Sequence, residues 1–132
     1  MEYKDLILRA LKAKEKAYVP YSNFRVGAAV LTEDGSVYEG CNIENASYGA
    51  TNCAERTAIF KAISEGHCEI KALAVVGDTS TYIYPCGICR QVIAEFAKSD
   101  TPVILAKNEE EYIVRTLVQI LPDAFTKRDL NK

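Results

Sequence analysis

At residues 53–56 the sequence reads Cys-Ala-Glu-Arg, and at residues 85–91 it reads Pro-Cys-Gly-Ile-Cys-Arg-Gln. Each segment stands at the start of a predicted helix. Because helix N-termini carry free N–H groups and partial positive charge, they lower the pKa of a thiol and favour the thiolate. Cys86 and Cys89 are three residues apart, so both can face one point, and Cys53 comes from the other helix start. The pattern predicts that the fold brings these two helix starts together.

Three thiols and a nearby carboxylate are the groups that a catalytic zinc site needs. Zinc with three protein ligands keeps a fourth position open for water, which separates a catalytic site from a structural one. Glu55 is then a candidate to move the protons of that water. The simpler interpretation is a first-turn glutamate that favours the helix dipole. The neighbouring Cys53 and the second cysteine segment favour catalysis.

Arg56 is a candidate to balance the charge of this site. Three thiolates outweigh the charge of one Zn²⁺, and the excess makes a bound water harder to deprotonate. A guanidinium can offset that charge by donating to a thiolate sulfur. Arg56 could equally be an ordinary arginine on a helix surface, and its position supports the two interpretations equally.

Other uses of the cysteines also fit part of the pattern. A lone Cys-x-x-Cys pair can be a redox site or half of a four-thiol structural zinc site. A redox pair leaves Pro85 and the segment at Cys53 unexplained. A fourth thiol could come from Cys41 or Cys68, but both are interpreted as packing cysteines. His67, the single histidine, lies in a predicted turn and is expected to be exposed to solvent rather than a ligand.

The bulk properties leave small-molecule substrates open. The chain of 132 residues, with 48% hydrophobic and 26% charged residues, suits a single domain over 1–132. The net charge of -2 and the absence of a dense basic block argue against nucleic-acid binding. Five cysteines, an odd number, with no signal-like start do not suggest a disulfide framework. No apolar run approaches the ~20 residues of a membrane span, so we expect a cytoplasmic protein.

Hydrophobic periodicity predicts four helices and five strands. The helices are expected at 3–18, 53–65, 87–98 and 116–121. The strands are expected at 26–31, 37–43, 72–76, 103–106 and 112–114. The Asp-Gly pair at residues 34–35 predicts a hairpin between the first two strands. Residues 44–52 are predicted to form a loop, and the charged tail after Phe125 is predicted to be loose.

This order of elements predicts an α/β fold with three layers. The hairpin makes one strand pairing antiparallel, whereas the later strand–helix–strand unit implies a parallel crossover. A central mixed sheet of about five strands then carries helices on both faces, in an α-β-α arrangement.

The sequence resembles the cytidine deaminases, of the short-chain type whose zinc site is built from three cysteines. The order Cys-x-Glu followed by Pro-Cys-x-x-Cys is the signature of zinc deaminases. The resemblance covers nearly the full length, because four sets of matching segments occur in the right order: 18–29, 40–48, the two cysteine segments and 121–125. It therefore implies the cytidine deaminase fold.

The resemblance implies an activity and a set of ligands. One zinc per subunit would be bound by Cys53, Cys86 and Cys89, and Glu55 would be the proton shuttle. The reaction would be hydrolytic deamination of cytidine and 2′-deoxycytidine to uridine and 2′-deoxyuridine, a step of pyrimidine salvage. Family members of this length are homotetramers with active sites near subunit interfaces.

The resemblance also implies roles in nucleoside binding. Asn42 and Glu44 would hydrogen-bond the ribose hydroxyls, in agreement with the rule that alternate residues of an extended segment point the same way. Phe24 would pack against the pyrimidine or ribose, Tyr48 would help to build the site and the subunit contacts, and Phe125 would reach a neighbouring subunit's pocket. The residues alone also allow simpler roles. Asn42 and Glu44 could be ordinary polar residues on a solvent-facing strand. Phe24 could be a core aromatic, and Phe125 could hold the last short helix in place by hydrophobic contact.

Two residues depart from the family pattern, and two other functions remain open. Tyr84 stands where a small residue is expected, and Ile88 replaces the usual alanine between the paired cysteines. The first alternative is a deaminase of the same fold that acts on another aminated nucleoside or on a base in RNA. The second is a non-catalytic binding module stabilised by zinc, which would close its site with a fourth protein ligand.

Overall fold

A computed structural model describes residues 1–130, and the last two residues of the predicted domain and tail lie outside it. The strands are β1 Val26–Thr32, β2 Val37–Cys41, β3 Ile70–Gly77, β4 Pro102–Ala106 and β5 Tyr112–Thr116. The α-helices are α1 Tyr3–Lys14, α2 Ala54–Ser64, α3 Gly87–Phe96, α4 Leu117–Ile120 and α5 Lys127–Leu130. None of the helices in this part of the chain has the length and apolar character of a membrane span.

The strands form one mixed sheet, as predicted, in the order β2-β1-β3-β4-β5. Strand β1 runs antiparallel to both β2 and β3, and β4 runs antiparallel to β5. Strands β3 and β4 are parallel and are connected through α3, which confirms the predicted crossover. The Asp-Gly turn joins β1 to β2, and its Gly35 has φ +90°, a value that glycine adopts without strain.

Alternate residues of the central strands face two separate hydrophobic clusters. On one face α1 packs against a cluster that includes Ala29, Ala74, Val76 and Ile104. On the other face α2, α3 and α4 pack against a cluster that includes Val30, Leu73, Val75, Val103 and Leu105. This alternation gives the predicted three layers, because each face of the sheet is buried by helices.

Most element boundaries shift by one or two residues from the predicted ones, and three segments differ more. Helix α1 ends at Lys14 rather than at residue 18, because the Tyr18 N–H donates to the Asn42 carbonyl at 3.0 Å and holds Tyr18 in a bridge with Ile43. The predicted loop at 44–52 contains a short 3₁₀ helix at Tyr48–Ala50. The tail after Phe125 is not loose throughout, since it forms α5.

Helix α2 rests directly on the backbone of β2. A Cβ atom at Gly40 would lie 2.4 Å from the Ala58 nitrogen and 2.7 Å from the Ala54 oxygen. Only glycine therefore allows this approach between helix and strand. The contact fixes the first turn of α2, which carries Glu55, relative to the sheet.

Candidate active site

The three predicted ligand cysteines meet at two helix starts. Cys53 is the N-cap of α2, Cys86 is the N-cap of α3, and Cys89 lies in the first turn of α3. Their sulfur atoms all lie within 4.8 Å of one another, and those of Cys53 and Cys86 are 3.8 Å apart. The Cys89 N–H donates to the Cys86 sulfur at 3.5 Å. The turn of α3 thereby aims both of its thiols at the same point.

This arrangement fits a zinc ion. Tetrahedral zinc with Zn–S bonds of about 2.3 Å places its sulfur ligands about 3.8 Å apart, close to the observed separation of Cys53 and Cys86. All five cysteines are free thiols, and Cys41 and Cys68 lie outside the cluster. Within residues 1–130 the cluster contains three ligand atoms and no fourth. A metal held here keeps one position open.

The cluster sits in a positive environment. The Arg56 guanidinium donates through Nη2 to the Cys53 sulfur at 3.3 Å. The Arg56 Nε is buried and has no hydrogen-bond partner in the described part of the chain. A hydrogen bond from Cys89, together with Arg56, lowers the pKa of Cys53 to about 5, although burial opposes the shift. The Cys53 thiolate is therefore favoured at neutral pH, whereas the same hydrogen bond raises the pKa of Cys89.

Glu55 is a buried carboxyl beside these thiols, with 4% of its surface exposed. Burial is the largest cause that raises the pKa of Glu55 to about 7, and the charge of Cys53 raises it further. A carboxyl that titrates near neutrality can both accept and release a proton, as a general acid–base group must.

Glu55 and two of the thiols open onto one cleft of about 260 Å³. Phe24 and Asn42 lie on its walls, and the other lining residues are Val26, Thr51, Ala54, Ile83 and Tyr84. The Asn42 side chain is tied to the backbone, since its Oδ1 accepts from the Val26 N–H and its Nδ2 donates to the Phe24 carbonyl, both at 2.9 Å. Asn42 therefore fixes the segment from Phe24 to the start of β1.

A second hollow of about 380 Å³ adjoins the cleft and contains Glu44 and Tyr48. Thr51 lines both spaces. The Glu44 carboxylate accepts hydrogen bonds from the Ser22 hydroxyl and from the N–H groups of Ser22 and Tyr21, each N–H at 3.1 Å. The bond from Ser22 is the main cause that lowers the pKa of Glu44. Tyr48 is 76% exposed, and its ring meets that of Tyr21 edge-on.

Phe125 does not line the cleft of its own chain. Its side chain is 62% exposed, and its carbonyl accepts from Gln91 Nε2 at 2.7 Å. The two residues that depart from the family pattern are also exposed: Tyr84 at the rim of the cleft and Ile88 on the first turn of α3. The bulk of Tyr84 and Ile88 does not prevent the three sulfur atoms from converging.

Known proteins match both the sequence and the fold. A family described as "Cytidine and deoxycytidylate deaminase zinc-binding region" matches residues 1–105, which include both cysteine segments.

The chain belongs to this deaminase family.

Deaminases from several bacteria are similar over nearly the whole chain. The cytidine deaminase of Sporosarcina psychrophila is 55% identical over 99% of this chain and 96% of its own. That of Halalkalibacterium halodurans is 55% identical over 99% of both chains. The crystal structure of cytidine deaminase from Burkholderia pseudomallei superposes with a TM-score of 0.90, at 51% identity, covering 95% of this chain and 100% of that one. The three-layer fold is therefore that of the cytidine deaminases.

The exposure of two residues differs from the sequence prediction, and two residues of the cleft were not predicted. His67 is not exposed: its side chain is 14% accessible, and its Nε2 lies 3.0 Å from the Tyr38 hydroxyl. Cys68 is exposed rather than packed. Thr51 and Ile83 line the cleft but were not predicted, because each lies in irregular structure where no periodic pattern marks its direction.

Proposed function

We propose that this chain hydrolyses cytidine and 2′-deoxycytidine to uridine and 2′-deoxyuridine and releases ammonia. The observation that carries the proposal is the buried carboxyl of Glu55, which opens onto the same cleft as the thiols of Cys53 and Cys86. A structural zinc module has no use for a buried carboxyl at this place, and it would need a fourth protein ligand. Full-length similarity to cytidine deaminases supports the same reaction.

In this proposal Cys53, Cys86 and Cys89 hold one zinc ion per subunit. Zinc bound there would supply a Lewis acid that lowers the pKa of a water molecule in its open position. Glu55 accepts a proton from the attacking water and donates it to ring N3 of the pyrimidine. The water oxygen bonds to C4. Glu55 then passes the second proton to the amine as the C4–N bond breaks and ammonia leaves.

We propose that the nucleoside lies across the cleft and the adjoining hollow. Phe24 would contact the pyrimidine or ribose from the wall of the cleft. Asn42 and Glu44 would meet the ribose hydroxyls, and both retain acceptor lone pairs beyond their contacts within the protein. Tyr48 would close the outer side of the hollow that contains Glu44. A free nucleoside fits these groups better than RNA does, since the chain has a net charge of -2.

We also propose a single domain that assembles into a homotetramer in the cytoplasm. The two hydrophobic clusters share one sheet, which supports a single unit. Phe125, Ile88 and Tyr48 leave large apolar surfaces exposed, which supports burial against other subunits. In the assembly Phe125 would reach the site of a neighbour. The free state of all five cysteines agrees with a reducing compartment.

The experiment is a turnover assay on protein loaded with one equivalent of zinc. Mixing with cytidine should give a fall in ultraviolet absorbance that matches ammonia release, since loss of the exocyclic amine alters the chromophore. Single-stranded RNA added as a competitor should release no ammonia and leave the rate unchanged. Zinc-loaded protein that leaves cytidine and deoxycytidine intact would refute the proposal. Size-exclusion chromatography with light scattering tests the tetramer in the same preparation.

A further inference from the structure

Asp78 joins three segments of the chain just after β3. Its carboxylate accepts from the Arg25 backbone N–H at 3.2 Å, from Arg25 Nε at 2.8 Å and from Arg25 Nη2 at 3.1 Å. The same carboxylate pairs with Lys14 Nζ at 3.1 Å, at the end of α1. In return the Asp78 N–H donates to the Arg25 carbonyl at 2.9 Å. Arg25 is therefore held through both its side chain and its backbone.

The residues directly before this pair meet at the wall of the cleft. Phe24 precedes Arg25, and Gly77 precedes Asp78. A Cβ atom at Gly77 would lie 3.1 Å from Phe24 Cε1 and Cζ, and 2.8 Å from Ile83 Cδ1. The Phe24 ring thus lies against the bare backbone of Gly77, beside Ile83. Both side chains line the cleft that Glu55 opens onto.

The backbone of Phe24 is restrained from both sides along the chain. The preceding Asn23 has φ 55°, so the chain turns sharply just before Phe24. The Phe24 N–H donates to the Ser22 hydroxyl, and its carbonyl accepts from Asn42. The hydrogen bonds from Arg25 to Asp78 add a restraint on the residue that follows Phe24. Asp78 itself is outside the cleft, so it can act on a ligand only through its neighbours.

We propose that Asp78 is a positioning residue for substrate binding, which holds Arg25 so that the Phe24 ring stays against Gly77 at the wall of the cleft. The inference rests on the proposed deaminase function. Glu55 and the three thiols belong to α2 and α3 and to their N-caps, and they make no contact with this ion pair. Loss of Asp78 therefore raises KM for cytidine and leaves kcat close to the parent value.

The test compares Asp78→Asn with Lys14→Met, each loaded with zinc. Lys14 pairs with the same carboxylate but forms no hydrogen bond with Arg25 or Phe24 in the described part of the chain, so Lys14→Met controls for loss of an ion pair alone. We expect Asp78→Asn to raise KM about tenfold and Lys14→Met to leave it unchanged. In a Phe24→Ala background, Asp78→Asn should raise KM no further, because the ring through which it acts is gone.

Three results would overturn the inference: a parent-like KM in Asp78→Asn, a loss confined to kcat, or the same rise in KM with and without the Phe24 ring. Arg25→Met supplies the answer if Asp78→Asn does not fold, since it removes the guanidinium contacts and keeps the backbone bond. We expect it to raise KM as well, and a parent-like KM would count against the proposal. A parent that leaves cytidine intact would instead refute the deaminase function.

Discussion

The Arg56 guanidinium lies 3.3 Å from the sulfur of Cys53, on the first turn of the helix that Cys53 caps. This contact places a fixed positive charge beside a cluster of three thiols. A guanidinium stays protonated at all relevant pH values, so its effect on the thiolates does not vary with conditions. The cluster can therefore hold more negative charge than zinc alone would neutralise.

Replacing Arg56 tests this balance of charge. In Arg56→Gln we expect zinc affinity or turnover to fall about 10- to 100-fold, because the Cys53 thiolate loses its donor and the site gains net negative charge. Chelator competition and steady-state kinetics measure the two quantities. Arg56→Lys keeps the positive charge but loses the planar guanidinium with its several N–H donors. Its zinc affinity and turnover should lie between those of the parent and of Arg56→Gln. Parent-like values in Arg56→Gln would show that the contact is incidental.

Glu55→Gln tests the proton shuttle with a substitution of nearly equal shape. Turnover of cytidine should fall about 10²- to 10⁴-fold, while zinc content and the circular dichroism spectrum stay unchanged. Glu65→Gln, at the other end of the same helix, is the matched control and should keep full turnover. Turnover of Glu55→Gln near the parent value would remove this residue from the mechanism.

Single cysteine substitutions test the ligand set. Alanine at 53, 86 or 89 should reduce bound zinc from one equivalent to a small fraction, measured by a colorimetric chelator after denaturation. Unfolding should also become easier by about 3 kcal/mol when zinc is present at a hundred times its parent Kd, because ligand binding stabilises the folded state. Cys41→Ala and Cys68→Ala lie outside the cluster and should retain zinc. Full zinc in all three cluster variants would contradict the assignment.

The ion pairs of Asp78 predict how stability changes in acid. Hydrogen bonds from Arg25, with a further contribution from Lys14, hold the pKa of Asp78 well below its usual range. The stabilisation is therefore complete above the unfolded pKa of about 3.9 and is lost as the pH falls towards the folded value. At pH 7 we expect the free energy of unfolding of the parent to exceed that of Asp78→Asn by on the order of 1 kcal/mol. The difference should shrink below about pH 4. Urea titrations across the pH range measure it, and a difference that stays constant from about pH 4 down to about pH 2 would contradict it.

Gly40→Ala tests the close approach of α2 to β2. The new methyl would overlap the Ala58 nitrogen and the Ala54 oxygen, so we expect a loss of about 1–3 kcal/mol in the free energy of unfolding. Gly49→Ala is the matched control, because a Cβ there meets no atom within 4 Å. Denaturant unfolding of the two variants gives the comparison. Equal stabilities would mean that the helix can move away from the strand at little cost.

The sequence was sufficient to predict four of the five α-helices, the five strands and the three layers. Local rules determine these features: apolar spacing marks the buried faces, and the Asp-Gly turn closes the hairpin. The convergence of Cys53 with Cys86 and Cys89 followed from their placement at helix starts, although they are 33 and 36 residues apart along the chain.

Contacts between distant segments could not be predicted in this way. The end of α1 depends on a hydrogen bond from Tyr18 to Asn42, and the partner of Glu44 is Ser22. Local propensity cannot predict such pairs, because their partners are far apart in the sequence and meet only in the tertiary structure. The single histidine shows the same limit, since this residue after a turn is partly buried against Tyr38 of β2.

The close contact between α2 and the backbone of β2 at Gly40 also affects how the site responds to substitutions elsewhere in the core. Helices that pack through side chains can slide by a fraction of an ångström as those side chains repack. Here main-chain atoms of helix and strand are in direct contact, so there is no compressible layer between them. The position of the first turn of α2, and with it the Glu55 carboxyl, is therefore set by backbone contact rather than by the repacking of side chains.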